Sequence, residues 1–205
     1  MTEDRLIDYI AELQSIAQAG LWYGKDKFDK ERYARLREIA AEMLAMKTDL
    51  PLAKVKDLFC GDTGYQTPKV ETRAAIVKEG KILLVRESDD LWALPGGWCD
   101  YDLSPVDNTV KEAWEEAGRN IKVRSLIAVQ DREKHNEPRY LYKIVKLFYL
   151  CEELGGAFTE NMETTAAEYF AENELPPLAE EKVTAEQIRM CLAAARAEYW
   201  QAQFD

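Results

Sequence analysis

Apolar positions recur at helical spacing through the first sixty residues of the chain. Two amphipathic helices are predicted, the first ending near Gly20 and the second starting at Asp29, a residue type that suits an N-cap. Their apolar positions are Leu6, Ile10, Leu13 and Ile16, then Tyr33, Leu36, Ile39, Ala40, Met43 and Leu44. A third helix is predicted from Pro51 to Phe59, with Leu52, Val55 and Leu58 on one side. Because three short helices rarely bury enough apolar surface to be stable alone, we expect them to pack on the rest of the chain or on a second copy.

From Val70 onward the apolar positions alternate with a period of two, which is typical of strands. A turn around Glu79 and Gly80 joins the first two strands into a predicted hairpin. Further strands are predicted at 123–129, 140–151 and 168–170, and a last helix runs from Thr184, which has capping-box spacing to Gln187, as far as Tyr199. Mixed strands and two long helices predict an α/β/α sandwich. The expected organisation is a helical domain at 1–60, a linker at 61–68 and the sandwich at 69–205.

One predicted helix has unusually clear ends. Ser104 suits the N-cap, Pro105 the first helical position, and Gly118 the left-handed residue that ends a helix. Three carboxylates share one face of this helix, because residues three and four apart are neighbours on a helix surface. They are Glu112, Glu115 and Glu116. The spacing therefore predicts an acidic cluster.

Repulsion within this acidic cluster must be relieved. At ~5 Å and an effective dielectric of ~20, each like-charged pair costs about 3 kcal/mol, so the cluster either raises a carboxylate pKa or holds a cation. Oxygen ligands alone favour a hard ion, magnesium or manganese. Gly96 and Gly97 let the preceding loop fold close to the acidic face, where its backbone can meet an ion or a phosphate. The alternative is a solvated acidic helix face.

Composition narrows the choice of function. With 205 residues the chain can form one main domain and a small appendage, and its net charge of −11 disfavours long contacts with nucleic acid while leaving nucleotides and short RNA as substrates. The four cysteines include no CxxC pair, and His135 is the single histidine, so zinc-ribbon and histidine-rich metal centres are excluded. The N-terminus lacks signal-peptide features and no apolar run reaches about eighteen residues, so we expect a cytoplasmic protein without membrane contact.

The stretch from Gly96 to Arg119 resembles the signature of the Nudix hydrolases, which runs G, five residues, E, seven residues, REU, one residue, EE, one residue, GU, where U is aliphatic. Gly97 aligns with the first glycine, and the later glutamates and glycine align with the three glutamates named above and Gly118. Lys111 replaces the arginine and Leu103 replaces the early glutamate, which in the family supports the loop and the helix. Arg119 replaces the last aliphatic residue.

Segments outside this box extend the resemblance over the whole chain. TPKVETRAAIV, LWALPGGW and YKIVKLFYLCEELGG are similar to a bacterial Nudix subgroup with an N-terminal helical extension, which includes CDP-choline pyrophosphatases and ADP-ribose pyrophosphatases. The resemblance implies a Nudix-type α/β/α sandwich with a mixed sheet, preceded by a small helical domain. It also implies a homodimer formed through the N-terminal helices, with an intramolecular helical cap as the alternative.

The function implied by the resemblance is magnesium-dependent hydrolysis of a nucleoside diphosphate linked to another moiety, with manganese as the alternative ion. Glu112, Glu115 and Glu116 are the implied metal ligands, together with Gly97, and either Glu112 or Glu163 would act as general base. The resemblance ranks CDP-choline first, ADP-ribose second and short RNA third. A quaternary cation also suits aromatic faces, although the aromatic residues here could equally belong to the core. The aromatic residues considered are Trp92, Trp98, Tyr101, Tyr140 and Tyr142.

Four further residues are candidates for substrate binding. Arg73 and Arg86 lie on neighbouring predicted strands and could reach phosphates, or else be surface charges. Trp98 could stack on a base or belong to the core, and Lys111 would orient the glutamates by its charge. Leu103 and Lys111 also leave a competing hypothesis, a non-catalytic Nudix domain that binds a nucleotide as a sensor or assembly module.

Overall fold

The computed structural model describes residues 3–48, 50–140 and 142–205. The chain divides into two compact units at the Pro68–Lys69 junction. The first, here called the helical unit, contains the described residues up to Pro68 together with Arg139, Tyr140 and Tyr142, and the second, the α/β unit, contains the remainder. No helix among the described residues is both long enough and apolar enough to cross a membrane.

The helical unit contains α1 (Glu3–Tyr23), α2 (Lys27–Thr48) and α3 (Leu52–Phe59). The prediction of three helices is confirmed. Their common core consists of Ile10, Ala40, Ala41, Leu44, Val55 and Phe59. On α3, Val55 and Phe59 face this core while the Leu58 side chain is exposed, so the predicted grouping of Leu58 with Val55 is wrong.

Two predicted helix ends in the helical unit are also wrong. Helix α2 is capped by Asp26, whose carboxylate accepts the backbone N–H groups of Phe28 at 2.9 Å and Asp29 at 3.1 Å. Asp29 therefore lies inside the first turn. Gly20 does not end α1, which runs to Tyr23. A β-carbon at this glycine would lie 2.4 Å from the Tyr33 ring of α2. The glycine allows the two helices to cross closely, and α1 continues past it.

The α/β unit is built on one mixed sheet. Its strands are β1 (Lys69–Lys78), β2 (Lys81–Glu87), β3 (Trp92–Ala93), β4 (Arg119–Asp131), β5 (Ile144–Gly156), β6 (Thr164–Phe170) and β7 (Gln203–Phe204). The strand order is β3-β2-β1-β5-β4-β7, with β6 paired to β2. The β1–β5 and β4–β7 pairs are parallel and the other pairs are antiparallel. The predicted hairpin is confirmed, with Glu79 and Gly80 at φ 52° and 77° in its turn.

A helix covers each face of the sheet, and alternate residues of β1 and β2 point to the two cores. Helix α4 (Pro105–Ala117) packs through Ala113 and Ala117 on one face, with Ala74, Ile76, Leu83 and Val85. Helix α5 (Ala185–Arg196) packs through Ile188 and Leu192 on the other, with Ala75, Ile82 and Leu84. The predicted α/β/α sandwich is confirmed. Helix α5 ends at Arg196 instead of continuing to Tyr199, because Ala197 is extended.

Candidate functional site

Helix α4 carries the three candidate glutamates and has the predicted ends. The Ser104 hydroxyl accepts the Asp107 backbone N–H at 3.1 Å, Pro105 is the first helical residue, and Gly118 ends the helix at φ 61°. These caps fix where the helix starts and stops. The face that bears Glu112, Glu115 and Glu116 is consequently set by the sequence.

The glycine segment Leu94–Gly97 lies directly against β1. Ala74 donates its backbone N–H to the Pro95 carbonyl at 2.8 Å, and Thr72 donates to the Gly97 carbonyl at 2.9 Å. Between these two bonds, the Gly96 N–H donates to Glu116 Oε2 at 2.7 Å. A backbone amide of the loop therefore holds one of the candidate metal ligands in place.

The Glu112 side chain of α4 lies close to Gly97, the next residue of the glycine segment. A β-carbon built on Gly97 would come within 3.1 Å of Glu112 Oε2, so this carboxylate rests against the glycine backbone. Burial raises the pKa of Glu112, although the Lys111 ammonium lowers it in part. Burial also raises the pKa of Glu116, to about 7, against the opposing effect of the Arg73 guanidinium. Both carboxylates thus have incompletely balanced negative charge.

Lys111 is surrounded by acidic side chains. Its ammonium lies 3.0 Å from Glu115, 3.3 Å from Asp100 and 3.5 Å from Glu112. Asp100 belongs to the loop before α4, and its backbone N–H donates to Asn108 Oδ1 at 3.1 Å. Leu103, where the box has glutamate, is half-buried. The described contacts of Lys111 are therefore with the loop and the glutamates of the helix.

The loop that carries Glu163 is fastened to the last turn of α4. Asn161 donates to the Glu115 carbonyl at 3.0 Å, and the Thr164 hydroxyl donates to the Glu116 carbonyl at 2.8 Å. The Glu163 side chain is exposed, and its backbone N–H donates to Asn161 Oδ1 at 2.9 Å. The structure thus brings the loop, with an exposed carboxylate, next to the helix of the acidic cluster.

The other candidate substrate residues lie in different surroundings. Arg73 is buried, with Nε donating to Glu71 Oε1 at 2.6 Å and Nη1 donating to the Leu94 carbonyl at 2.9 Å. Arg86 is half-buried and donates to the Thr165 hydroxyl at 2.9 Å. Trp98 is 44% exposed, and the Lys69 ammonium lies 5.9 Å from the centre of its ring. Arg73 is therefore neither a surface charge nor an open side chain.

The donor atoms at this site suit a hard divalent cation. Glu112, Glu115 and Glu116 supply carboxylate oxygens, and the Gly97 carbonyl has a second lone pair beyond its bond to Thr72. Within the described parts of the chain, no three acidic, thiol or imidazole side chains are already grouped as a metal cage. Burial raises the pKa of Glu112 and of Glu116, so their charged forms are disfavoured, and a bound cation would stabilise those charged forms.

Several residues that shape the site were missed from the sequence. Gly96 was expected to bring the loop backbone close to the acidic face, where it could meet an ion or a phosphate, and its N–H donates to Glu116 itself. Asn108 is fully buried and links the Asp100 backbone to the Thr72 hydroxyl. Glu71 pairs with Arg73 two residues away on the same strand face, a spacing that could have suggested the pair. The hydrogen-bond partners of Asn108 depend on how β1 packs on α4. Such long-range packing cannot be predicted from a local sequence pattern.

Comparison with known proteins agrees with this geometry. Residues 68–191 match the family described as the NUDIX domain, and residues 4–59 match the UDP-X-like, N-terminal oligomerisation domain. A putative ADP-ribose pyrophosphatase, YjhB of Bacillus subtilis (strain 168), is 40% identical over 189 residues, covering 92% of this chain and 91% of the relative.

Two solved structures are similar to the chain. A crystal structure of an ADP-ribose pyrophosphatase from Streptococcus suis is 52% identical with a TM-score of 0.64, covering 68% of this chain and all of that one. A crystal structure of a UDP-X diphosphatase is 35% identical with a TM-score of 0.64, and the match covers 100% of both chains. The resemblance identified in the box is thus confirmed, and the chain belongs to the Nudix hydrolase family, with an N-terminal domain of the UDP-X-like oligomerisation type.

Proposed function

We propose that this protein hydrolyses the pyrophosphate bond of a nucleoside diphosphate linked to another moiety, with Mg²⁺ as the cofactor and ADP-ribose as the first candidate substrate. The observation that carries the proposal is the placement of Glu112 and Glu116 against the glycine segment, where burial raises the pKa of both carboxylates. A solvated acidic face would leave these carboxylates in water. Instead Glu116 accepts the Gly96 N–H, and Glu112 packs against Gly97.

Different residues of the site have different roles in the proposed reaction. Glu112, Glu115, Glu116 and the Gly97 carbonyl would hold the cation, which supplies charge neutralisation of the pyrophosphate and a more acidic attacking water. Lys111 keeps the glutamates and the Asp100 loop in register through its three ion pairs. Either Glu112 or Glu163 accepts the proton of the water, and the anchoring of the Glu163 loop to the end of α4 supports the second choice.

Substrate recognition is the finer part of the proposal. The resemblance ranked CDP-choline first, with an expected aromatic cage as added support, but Trp92 is buried in the core with its ring 4.8 Å from Phe170, and Tyr101 is fully exposed. These placements weaken the argument for a choline pocket. Three relatives that match over most of their length are named for ADP-ribose or UDP-X, so ADP-ribose moves ahead, with a UDP-linked compound as the second candidate and CDP-choline third.

A substrate panel tests this proposal. The purified protein is assayed with Mg²⁺ on ADP-ribose, a UDP-linked sugar, CDP-choline, NADH and a short RNA, in oxygen-18 water to identify the attacked phosphorus. We expect kcat/KM for ADP-ribose to exceed that for CDP-choline at least tenfold, which is about 1.4 kcal/mol. A tenfold preference in the other direction would restore the choline assignment. No hydrolysis of any compound would favour the nucleotide-sensor hypothesis.

We further propose that residues 1–60 form a dimerisation domain, 61–68 a linker and 69–205 the hydrolase domain, so that the active protein is a homodimer. Support comes from a stripe of exposed apolar residues on α1, because Tyr9, Ile16 and Tyr23 are seven residues apart and 43%, 49% and 64% exposed. Such a stripe is commonly covered by a symmetric contact. The description of the matching N-terminal family as an oligomerisation domain agrees with this assignment.

Sedimentation measures the proposed dimer. At micromolar concentration the full chain is expected to sediment as a dimer, and Ile16→Glu, which places a charge in the centre of the stripe, is expected to shift it towards the monomer. Leu154→Glu is the matched control, since Leu154 is 62% exposed in the α/β unit. A monomeric wild-type protein would rule out the dimer, and equal weakening by both substitutions would rule out this stripe as the interface.

A further inference from the structure

Three buried side chains with ionisable groups form a row beside the glycine segment. Burial disfavours the charged form of such groups. Arg73 donates from Nε to Glu71 Oε1 at 2.6 Å, and Lys146 Nζ lies 3.3 Å from the same oxygen. The exposed fractions of the three side chains are 4%, 9% and 0%. Glu71 and Lys146 are register partners on the parallel strands β1 and β5, so the sheet itself sets the second contact. We call Lys146, Glu71 and Arg73 the ion row.

Lys146 has neutral hydrogen-bond acceptors besides Glu71, and burial lowers its pKa to about 7 with a contribution from the Arg132 guanidinium. Its ammonium donates to Asn136 Oδ1 at 3.5 Å and to the Lys182 carbonyl. Gln187 of α5 donates to Asn136 Oδ1 at 3.0 Å and to Gln130 Oε1 at 2.9 Å, which keeps the Asn136 amide turned towards the lysine. Burial raises the pKa of Glu71, but the Arg73 and Lys146 cations outweigh it and hold this pKa below its usual value. The ion row is therefore fixed from the α5 side of the sheet.

At its other end the ion row reaches the glycine segment. Arg73 Nη1 holds the Leu94 carbonyl at 2.9 Å, while the β1 backbone holds the carbonyls of Pro95 and Gly97. Bonds on both sides therefore set the direction of the Gly96 N–H, which donates to Glu116 Oε2. The Arg73 guanidinium also attracts the Glu116 carboxylate electrostatically. The ion row thus bears on Glu116 in two ways, through the Gly96 backbone and through charge.

We propose that Glu71 and Lys146, neither of which belongs to the Nudix box, are positioning residues for the metal site, because Lys146 and Arg73 share the Glu71 carboxylate and Arg73 in turn holds the Leu94 carbonyl of the glycine segment. Without its Glu71 partner, the Arg73 guanidinium would be left with Glu116 and Glu87 as the carboxylates that attract it. A shift of Arg73 towards either carboxylate would release the Leu94 carbonyl, and a shift towards Glu116 would also compete with a cation. This inference rests on the proposed function, since it assigns the ion row to the metal site of that reaction.

A double variant tests the ion row. Glu71→Gln with Lys146→Met removes the carboxylate that Arg73 and Lys146 share, together with the Lys146 amine, so Arg73 is the one ionisable side chain left in the ion row. Mn²⁺ affinity is measured by electron paramagnetic resonance without nucleotide, and the half-saturating Mg²⁺ concentration is measured in the hydrolysis assay. We expect both affinities to weaken about 10–100-fold, as is usual for residues that orient metal ligands, with KM for the nucleotide unchanged at saturating Mg²⁺.

The chain offers a matched control in Arg132→Met with Glu133→Gln. This ion pair is also buried, with side-chain exposures of 0% and 4% and a 2.9 Å separation, and Arg132 Nη1 holds the Pro138 carbonyl instead of the glycine segment. The control is expected to bind Mn²⁺ like the wild type. Should the ion-row double variant fail to fold, Lys146→Met alone keeps the Glu71–Arg73 pair and is expected to weaken Mn²⁺ binding by a smaller factor.

The outcomes separate this inference from the proposed function. Wild-type metal affinity in the folded double variant overturns the inference, as does wild-type affinity in Lys146→Met if only that variant folds. An equal loss of affinity in the control pair overturns it too, because the effect would then be one of general packing. If the wild type binds Mn²⁺ but hydrolyses no compound of the panel, the proposed function fails while the role of the ion row in metal binding is still decided.

Discussion

Replacement of Glu116 by glutamine is expected to reduce kcat about a thousandfold while leaving the fold intact. The glutamine carbonyl can still accept the Gly96 N–H, so the bond between the loop and α4 is kept. What is lost is a negative charge at a partly buried position, and with it several kcal/mol of transition-state stabilisation delivered through the cation. Without metal, thermal stability is expected to equal or exceed that of the wild type, because burying a charge is costly.

The measurement is kcat at saturating Mg²⁺, together with the melting temperature in EDTA. Glu168→Gln is the control, since Glu168 is an exposed strand residue outside the acidic cluster, and its kcat is expected to stay within a factor of about two of the wild type. Equal turnover by Glu116→Gln and wild type would remove α4 from the catalytic site. A large fall in melting temperature would mean that the charge of Glu116 serves the fold.

Much of the site helix could be read from the sequence because its signals are local. Ser104, Pro105 and Gly118 act within a few residues of themselves, so the thirteen-residue helix and its acidic face follow from short-range rules. The hairpin turn and the capping box of α5 are local in the same sense. The N-cap of α2 was predicted at Asp29, three residues after the observed cap, Asp26. Both residues are aspartates and suit an N-cap equally well, so residue type alone could not distinguish them.

The long-range parts of the site could not be predicted, for a physical reason. Arg73 was interpreted as a phosphate-binding residue or a surface charge of the strand. It is buried by the parallel pairing of β1 with β5, which joins residues more than seventy positions apart. The register that places Lys146 beside Glu71 is likewise a property of the sheet. Lys111 was expected to orient the glutamates, but its ion pair with Asp100 could not be predicted because it depends on how the loop packs on α4.

The glycine segment gives the second large expected effect, which is one of stability. A β-carbon at Gly96 would lie 2.0 Å from the Thr72 carbonyl oxygen and 2.9 Å from the Arg73 α-carbon, at φ +143°. Both neighbours are backbone atoms of β1, so no side chain can move aside. To accept Gly96→Ala, the segment must leave β1 and break the bonds of Pro95 and Gly97 to the strand.

Gly96→Ala is therefore expected to lower the free energy of unfolding by about 3–5 kcal/mol, the sum of positive-φ strain of about 1–3 kcal/mol and two backbone hydrogen bonds of about 1 kcal/mol each. Gly80→Ala is the matched control, because Gly80 also has positive φ, +77°, but its β-carbon would meet nothing within 4 Å, so about 1–2 kcal/mol is expected there. Urea denaturation measures both. A similar loss of unfolding free energy in the two variants would show that backbone strain alone is at work and that the segment can move off β1 freely. A much larger loss at Gly96 would show that close packing on β1 holds the segment in place, and with it the Gly96 N–H that donates to Glu116.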